Sequence, residues 1–152
     1  MCTSFMGELL TATHNFGTAP TRGASTADTF KAVLYLTTAT VNASTTAYSA
    51  TNEVSGTGYT AGGVTVTNAT APTATNSSAT AGVAYWTPSA SITYTTVTLS
   101  TAFDCVLIYN STQSNKAVSV HTFGSQTVTA GTFTLTMPAN TTSTALLRLA
   151  TT

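Results

Sequence analysis

Charge is what this chain has least of: Asp, Glu, Lys and Arg make up 5% of its 152 residues, and the formal net charge is zero. An average soluble domain carries roughly a quarter. The four cations, Arg22, Lys31, Lys116 and Arg148, are too few and too scattered for the basic stripe that a phosphate backbone requires, which argues against nucleic acid as a partner. The same shortage removes the polybasic route to an anionic membrane, and no apolar run approaches the ~20 residues of a membrane span. A surface kept in solution by hydroxyls and amides repels its own copies weakly, so self-association or docking on a larger body is favoured.

Groups that do chemistry are equally sparse. The imidazoles are His14 and His121, the thiols Cys2 and Cys105, and the carboxylates Glu8, Asp28, Glu53 and Asp104, with no two at metal-ligand spacing. A serine nucleophile has no Gly-x-Ser-x-Gly elbow to aim it, and four separated acids do not suggest a glycosidase pair. The run Gly56-Thr57-Gly58-Tyr59-Thr60-Ala61 fits the loose dinucleotide fingerprint, but Gly62-Gly63 and alternating valines follow where a helix is required, so it reads as a turn between strands. The expectation is a protein that is not an enzyme and holds no cofactor or metal. The opening MCTSFMGELL lacks the cationic and apolar regions of a secretory leader, which leads us to expect cytoplasmic synthesis, two free thiols, and five Asn-x-Ser/Thr sequons that are compositional.

What is abundant is threonine, alanine and short apolar alternation. Ser4 to His14 is the best helical stretch, with Ser4 as N-cap and Phe5 and Leu9 on one face, and residues 17–27 read as a linker. This makes residues 1–28 an amino-terminal helix or arm with its linker, and residues 29–152 a β-sandwich domain. In the strand predicted over Phe30 to Leu36 both faces are apolar, as in a central strand, and only Lys31 resists burial, with Glu53 its nearest plausible partner. A polar loop anchored by Val41 and Tyr48 leads to glycines at 56, 58, 62 and 63, where positive φ or close backbone approach is expected. Further strands are predicted at 64–67, 83–86, 92–99, 103–109, 117–123, 128–137 and 144–149. A parity change places a bulge near Thr95 or Thr96, and a hairpin loop spans Asn110 to Lys116. Eight to ten short strands at this spacing predict an all-β, single-domain sandwich or jelly-roll-like fold with a short amino-terminal helix.

Thr29-Phe30-Lys31, Leu34-Tyr35, Thr46-Ala47-Tyr48 and the run from Asn52 to Gly63, together with Leu107-Ile108-Tyr109-Asn110-Ser111, Phe123-Gly124 and the MCTSF start, resemble small virion structural proteins of tailed bacteriophages. Among these the chain is most similar to the capsid decoration, or cement, proteins. The resemblance implies a trimer bound to the major capsid protein on the capsid surface, and it carries over no catalytic residue. Candidate partner contacts are Phe5 and Leu9 on the helix face and the rare charges Arg22, Lys31, Glu53 and Lys116, which fix register on a neutral surface. The alternative is a tail-fibre, tail-tip or baseplate module that stacks host glycans on its Tyr and Trp side chains, Trp86 foremost.

Overall fold

The computed structural model describes residues 1–2, 5, 8–9, 13–14, 16, 27–75 and 82–150. Seven strands follow one another: β1 (Phe30–Leu36), β2 (Val64–Thr65), β3 (Thr73–Ala74), β4 (Val83–Trp86), β5 (Ile92–Asn110), β6 (Lys116–Leu135) and β7 (Leu147–Ala150). They form a four-stranded sheet in the order β2-β1-β5-β6 and a three-stranded sheet in the order β3-β4-β7, with every pairing antiparallel. The fold is all-β and sandwich-like, as the alternation predicts. The expected helix from Ser4 to His14 falls largely outside the described residues. Phe5, Glu8 and Leu9 have helical backbone, but no helix element is delimited among the described residues.

β1 lies between β2 and β5 with Phe30, Ala32, Val33, Leu34 and Tyr35 all buried, because a central strand is covered on both faces. The strands expected as separate pieces at 92–99 and 103–109 are one 19-residue strand, and those at 117–123 and 128–137 merge into a 20-residue strand ending at Leu135. Among the described residues seven strands, including the unexpected β3, stand against the predicted eight to ten. The polar stretches that looked like connections stay extended, with the ladder register skipping residues 100–102 between Leu99 and Phe103. The hairpin turn falls at residues 111–115, where Ser114 and Asn115 adopt positive φ.

This hairpin does not run straight. Phe103 and Phe133 belong to ladder positions nine residues apart, which is about 30 Å along an extended strand, yet their rings meet edge to face at 5.0 Å. Phe123 also reaches Phe133, at 5.4 Å. The register shifts between Leu99 and Phe103, and again between Phe103 and Cys105, coincide with a sharp bend. The distal half (92–99 with 128–135) folds back over the proximal half (103–110 with 116–123), so a single ribbon supplies two layers. Tyr94 fixes the return by donating its hydroxyl to the Ala32 carbonyl at 2.8 Å.

The predicted bulge is present: Thr96 has φ +54 and the register shifts between Tyr94 and Val97. Against it lies Gly58, where a Cβ would stand 2.2 Å from the Thr96 carbonyl oxygen. Gly63 is tighter still, at φ +75 with a Cβ position 1.8 Å from the Ala32 oxygen. No other residue fits there without moving the backbone. Cys2 and Phe5 are part of the same buried cluster as β1 and β5, so the described part of residues 1–28 packs onto the sandwich.

Candidate functional site

Three places gather the side chains that sequence reasoning singled out. In the first, the amino-terminal segment is held by a buried polar network. Glu8 receives Lys116 Nζ on Oε1 at 2.7 Å and the His14 ring on Oε2 at 2.7 Å. The other ring nitrogen, Nδ1, faces the Asn110 amide nitrogen at 3.0 Å, and the same amide donates to Asp28 Oδ2 at 2.7 Å. An amide nitrogen only donates, so Nδ1 is the acceptor and the proton sits on Nε2, facing Glu8. Gln113 adds a bond to Asp28, and Asn110 Oδ1 accepts the Thr112 and Gln113 amides in the hairpin turn.

Both ring nitrogens of His14 are thus engaged. Burial alone raises the Glu8 carboxyl, but the hydrogen bonds from Lys116 and His14 and the charge of Lys116 outweigh it and hold Glu8 below the usual carboxylate range. This is a fastening for the segment rather than an acid-base pair.

The second place is a clasp around Glu53. Its Oε2 accepts the Tyr48 hydroxyl at 2.7 Å, and its Oε1 accepts the Tyr59 hydroxyl at 3.0 Å and the Gly62 amide at 2.6 Å. Tyr109 donates to the Gly62 carbonyl at 2.8 Å and stacks on Tyr48 at 4.8 Å. Burial, reinforced by the negative charge of Glu53, pushes the phenols of Tyr48, Tyr59, Tyr94 and Tyr109 upward, and that of Tyr35 to about 12. These rings stay protonated donors. The expected Lys31–Glu53 pair does not form: Glu53 bridges Tyr35, four residues and roughly 13 Å along β1 from Lys31, and its oxygens are taken by neutral donors.

The third place is an apolar groove of about 140 Å³ between the amino-terminal segment and the β4–β7 sheet. Phe5 and Leu9, the two predicted contact residues of the helix face, both line it, with Tyr85, Trp86 and Leu147 opposite. Phe5 is 2% exposed and packs on His14 and Phe16, so it forms the floor. Met1 and Leu149 form the rim and are the large apolar side chains left exposed among the described residues, at 39% and 41%.

Of the remaining predictions, Lys116 sits in the Glu8 network and Lys31 lies half-buried on β1. Arg22 lies outside the described residues. Trp86, foremost among the aromatic side chains proposed to stack glycans, is a packing residue. Trp86 is 3% exposed, its Nε1 donates to the Thr70 carbonyl at 2.8 Å, and Phe16 and Phe30 pack on its ring. Sequence reasoning missed His14, Asp28 and Asn110 as a network, because the bonds joining them span 82 and 96 residues and no local pattern marks them.

Both cysteines are free and buried. Burial pushes the Cys2 thiol up, and burial together with the neighbouring Asp104 carboxylate takes Cys105 to about 11, which favours the thiol over the thiolate in both. Among the described residues no group of three His, Cys, Asp or Glu could hold a metal ion, and no helix is long and apolar enough to cross a membrane. No protein-family model, curated protein or solved structure matches the chain.

Proposed function

We propose that the chain is a structural component of a tailed-bacteriophage virion, a decoration protein that binds the outer capsid surface and stabilises adjoining capsomers. The observation that carries this reading is the groove: on a chain with almost no charge, the exposed large apolar side chains, Met1 and Leu149, border the same concave apolar strip. Such a strip suits a shape-matched protein contact and offers nothing to a charged substrate. The occupant in this reading is the major capsid protein. Three copies around a threefold axis turn three weak contacts into durable attachment through effective concentration.

The test adds purified protein to capsids lacking it and follows co-sedimentation, with electron microscopy to locate the copies. Decoration of the shell at a symmetric set of positions, reduced in Leu149→Asp while the fold is kept, is the expected result. Copies confined to the tail or portal vertex would overturn the capsid reading and favour the tail alternative.

A further inference from the structure

A second concavity shares no lining residue with the apolar groove. It is a pocket of about 160 Å³ where the open end of the folded-back ribbon lies over the proximal half, with Val106, Ile108 and Phe123 on one side and Ile92, Leu135 and Leu146 on the other. Protein interiors keep few voids larger than a water molecule, because the lining of a void forfeits its dispersion contacts. An apolar cavity of about 150 Å³ stays dry and takes up benzene.

His121 is set into this wall, across the ladder from Val106. Its Nε2 meets the buried Ser119 hydroxyl at 2.9 Å. Its Nδ1 has no hydrogen-bond partner among the described residues. Nor is that nitrogen sealed off: among the described residues the enclosed side-chain polar atom without a partner is Asn140 Oδ1, so the unpaired Nδ1 of the half-buried His121 keeps accessible surface. If Nε2 donates to Ser119, Nδ1 is an acceptor; if Ser119 donates, Nδ1 carries the proton.

No Asp, Glu, Lys or Arg lines the pocket, and burial, helped by the amino-terminal charge, brings His121 to about 4, so the imidazole is uncharged at neutral pH. An ionic ligand would be desolvated with no counter-charge. A saccharide would press most of its hydroxyls against leucine and isoleucine. A purely apolar ligand would fill the volume and leave the nitrogen unused.

From this we infer that the pocket binds a neutral aromatic alcohol the size of a phenol, its ring between the two halves of the ribbon and its hydroxyl on His121 Nδ1. A hydroxyl both donates and accepts, so it suits either imidazole tautomer. Phe123 offers the ring an aromatic neighbour. A phenol ring has two sources, a free small molecule and a tyrosine side chain carried by a partner, and the site stands apart from capsid decoration.

The experiment titrates the full chain, isotope-labelled in its methyl groups and imidazoles, with toluene, with p-cresol and, in a third arm, with N-acetyltyrosinamide. Expected are shifts confined to the methyls of Ile92, Val106, Ile108, Leu135 and Leu146 and their neighbours, with a shift of the His121 Nδ1 resonance for p-cresol but not for toluene. The hydroxyl should make p-cresol bind about fivefold tighter than toluene. Response to p-cresol without N-acetyltyrosinamide identifies a free phenol, and response to both identifies a tyrosine side chain. His121→Leu should bring p-cresol and toluene to equal affinity. Leu146→Trp is the second variant: it sets a large ring at the half-buried rim and should abolish both responses, whether or not His121→Leu folds. Silence of these methyls to p-cresol, equal affinity for p-cresol and toluene in the unaltered chain, an unmoved His121 nitrogen, or shifts retained in Leu146→Trp would overturn the inference.

Discussion

Glu8 and Glu53 each tie distant parts of the chain together, and they do so in opposite ways. Glu8 meets a lysine and an imidazole that is itself braced by Asn110 and Asp28, so much of the chain's small stock of ionisable groups is spent fastening the amino-terminal segment to the hairpin turn. Glu53 meets two phenols and a backbone amide, with no cation. A carboxylate satisfied by neutral donors depends on geometry and burial. One satisfied by a half-exposed lysine depends also on salt and pH. The clasp should therefore be the stronger and less condition-sensitive of the two.

The largest expected effect lies on the clasp side. Gly63→Ala drives a Cβ into the Ala32 carbonyl at a positive φ and should destabilise the fold by about 4 kcal/mol in denaturant melts. Glu53→Ala leaves two phenols and the Gly62 amide without an acceptor and should cost about 3 kcal/mol, with Glu53→Gln recovering part of it. Asn110→Ala removes a fully buried amide that joins His14, Asp28 and the turn, and we expect about 2 kcal/mol in the same assay. Lys116→Ala should cost under about 1 kcal/mol and lose its effect in high salt. A Lys116→Ala loss as large as that of Glu53→Ala would break the comparison.

Acid sharpens it further. The Glu8 pKa is lowered in the folded state, so its contribution is present above the ordinary value of 4.5 and disappears as pH falls through the lower folded value. The signal is faster hydrogen exchange at the Cys2 amide, which bonds the Val118 carbonyl at 2.9 Å. A separate window belongs to His121, which burial, helped by the amino-terminal charge, brings from 6.5 to about 4. Between those values the unfolded chain binds the extra proton, so stability falls as pH drops from 6.5 toward 4, and His121→Leu should flatten that part of a melting-temperature profile.

Local pattern carried much of the fold. Alternation located β1 and β4, a parity change located the bulge at Thr96, and the glycine pairs marked the close approaches at Gly58 and Gly63. Local pattern failed where the determinant was distant. No local pattern near Leu99 says that the hairpin folds back, because Phe103 finds its partners, Phe123 and Phe133, on the other strand and across the bend. Of the candidate contacts, Phe5 and Leu9 fall together in one groove, whereas Lys31 and Glu53 separate because strand register decides their distance.

That folded-back ribbon limits how the molecule comes apart. Two stacked sheets from separate chain segments can peel away one at a time, but here the upper leaf is the continuation of the lower. Loosening the crease between Leu99 and Phe103 strips the cover from Phe103 and Tyr94 together, so neither leaf survives as an independent remnant. Stretched between Ile92 and Leu135, which sit opposite each other at the open end of the ribbon, the ladder should part pair by pair and meet its first strong resistance at the return of Tyr94 onto Ala32.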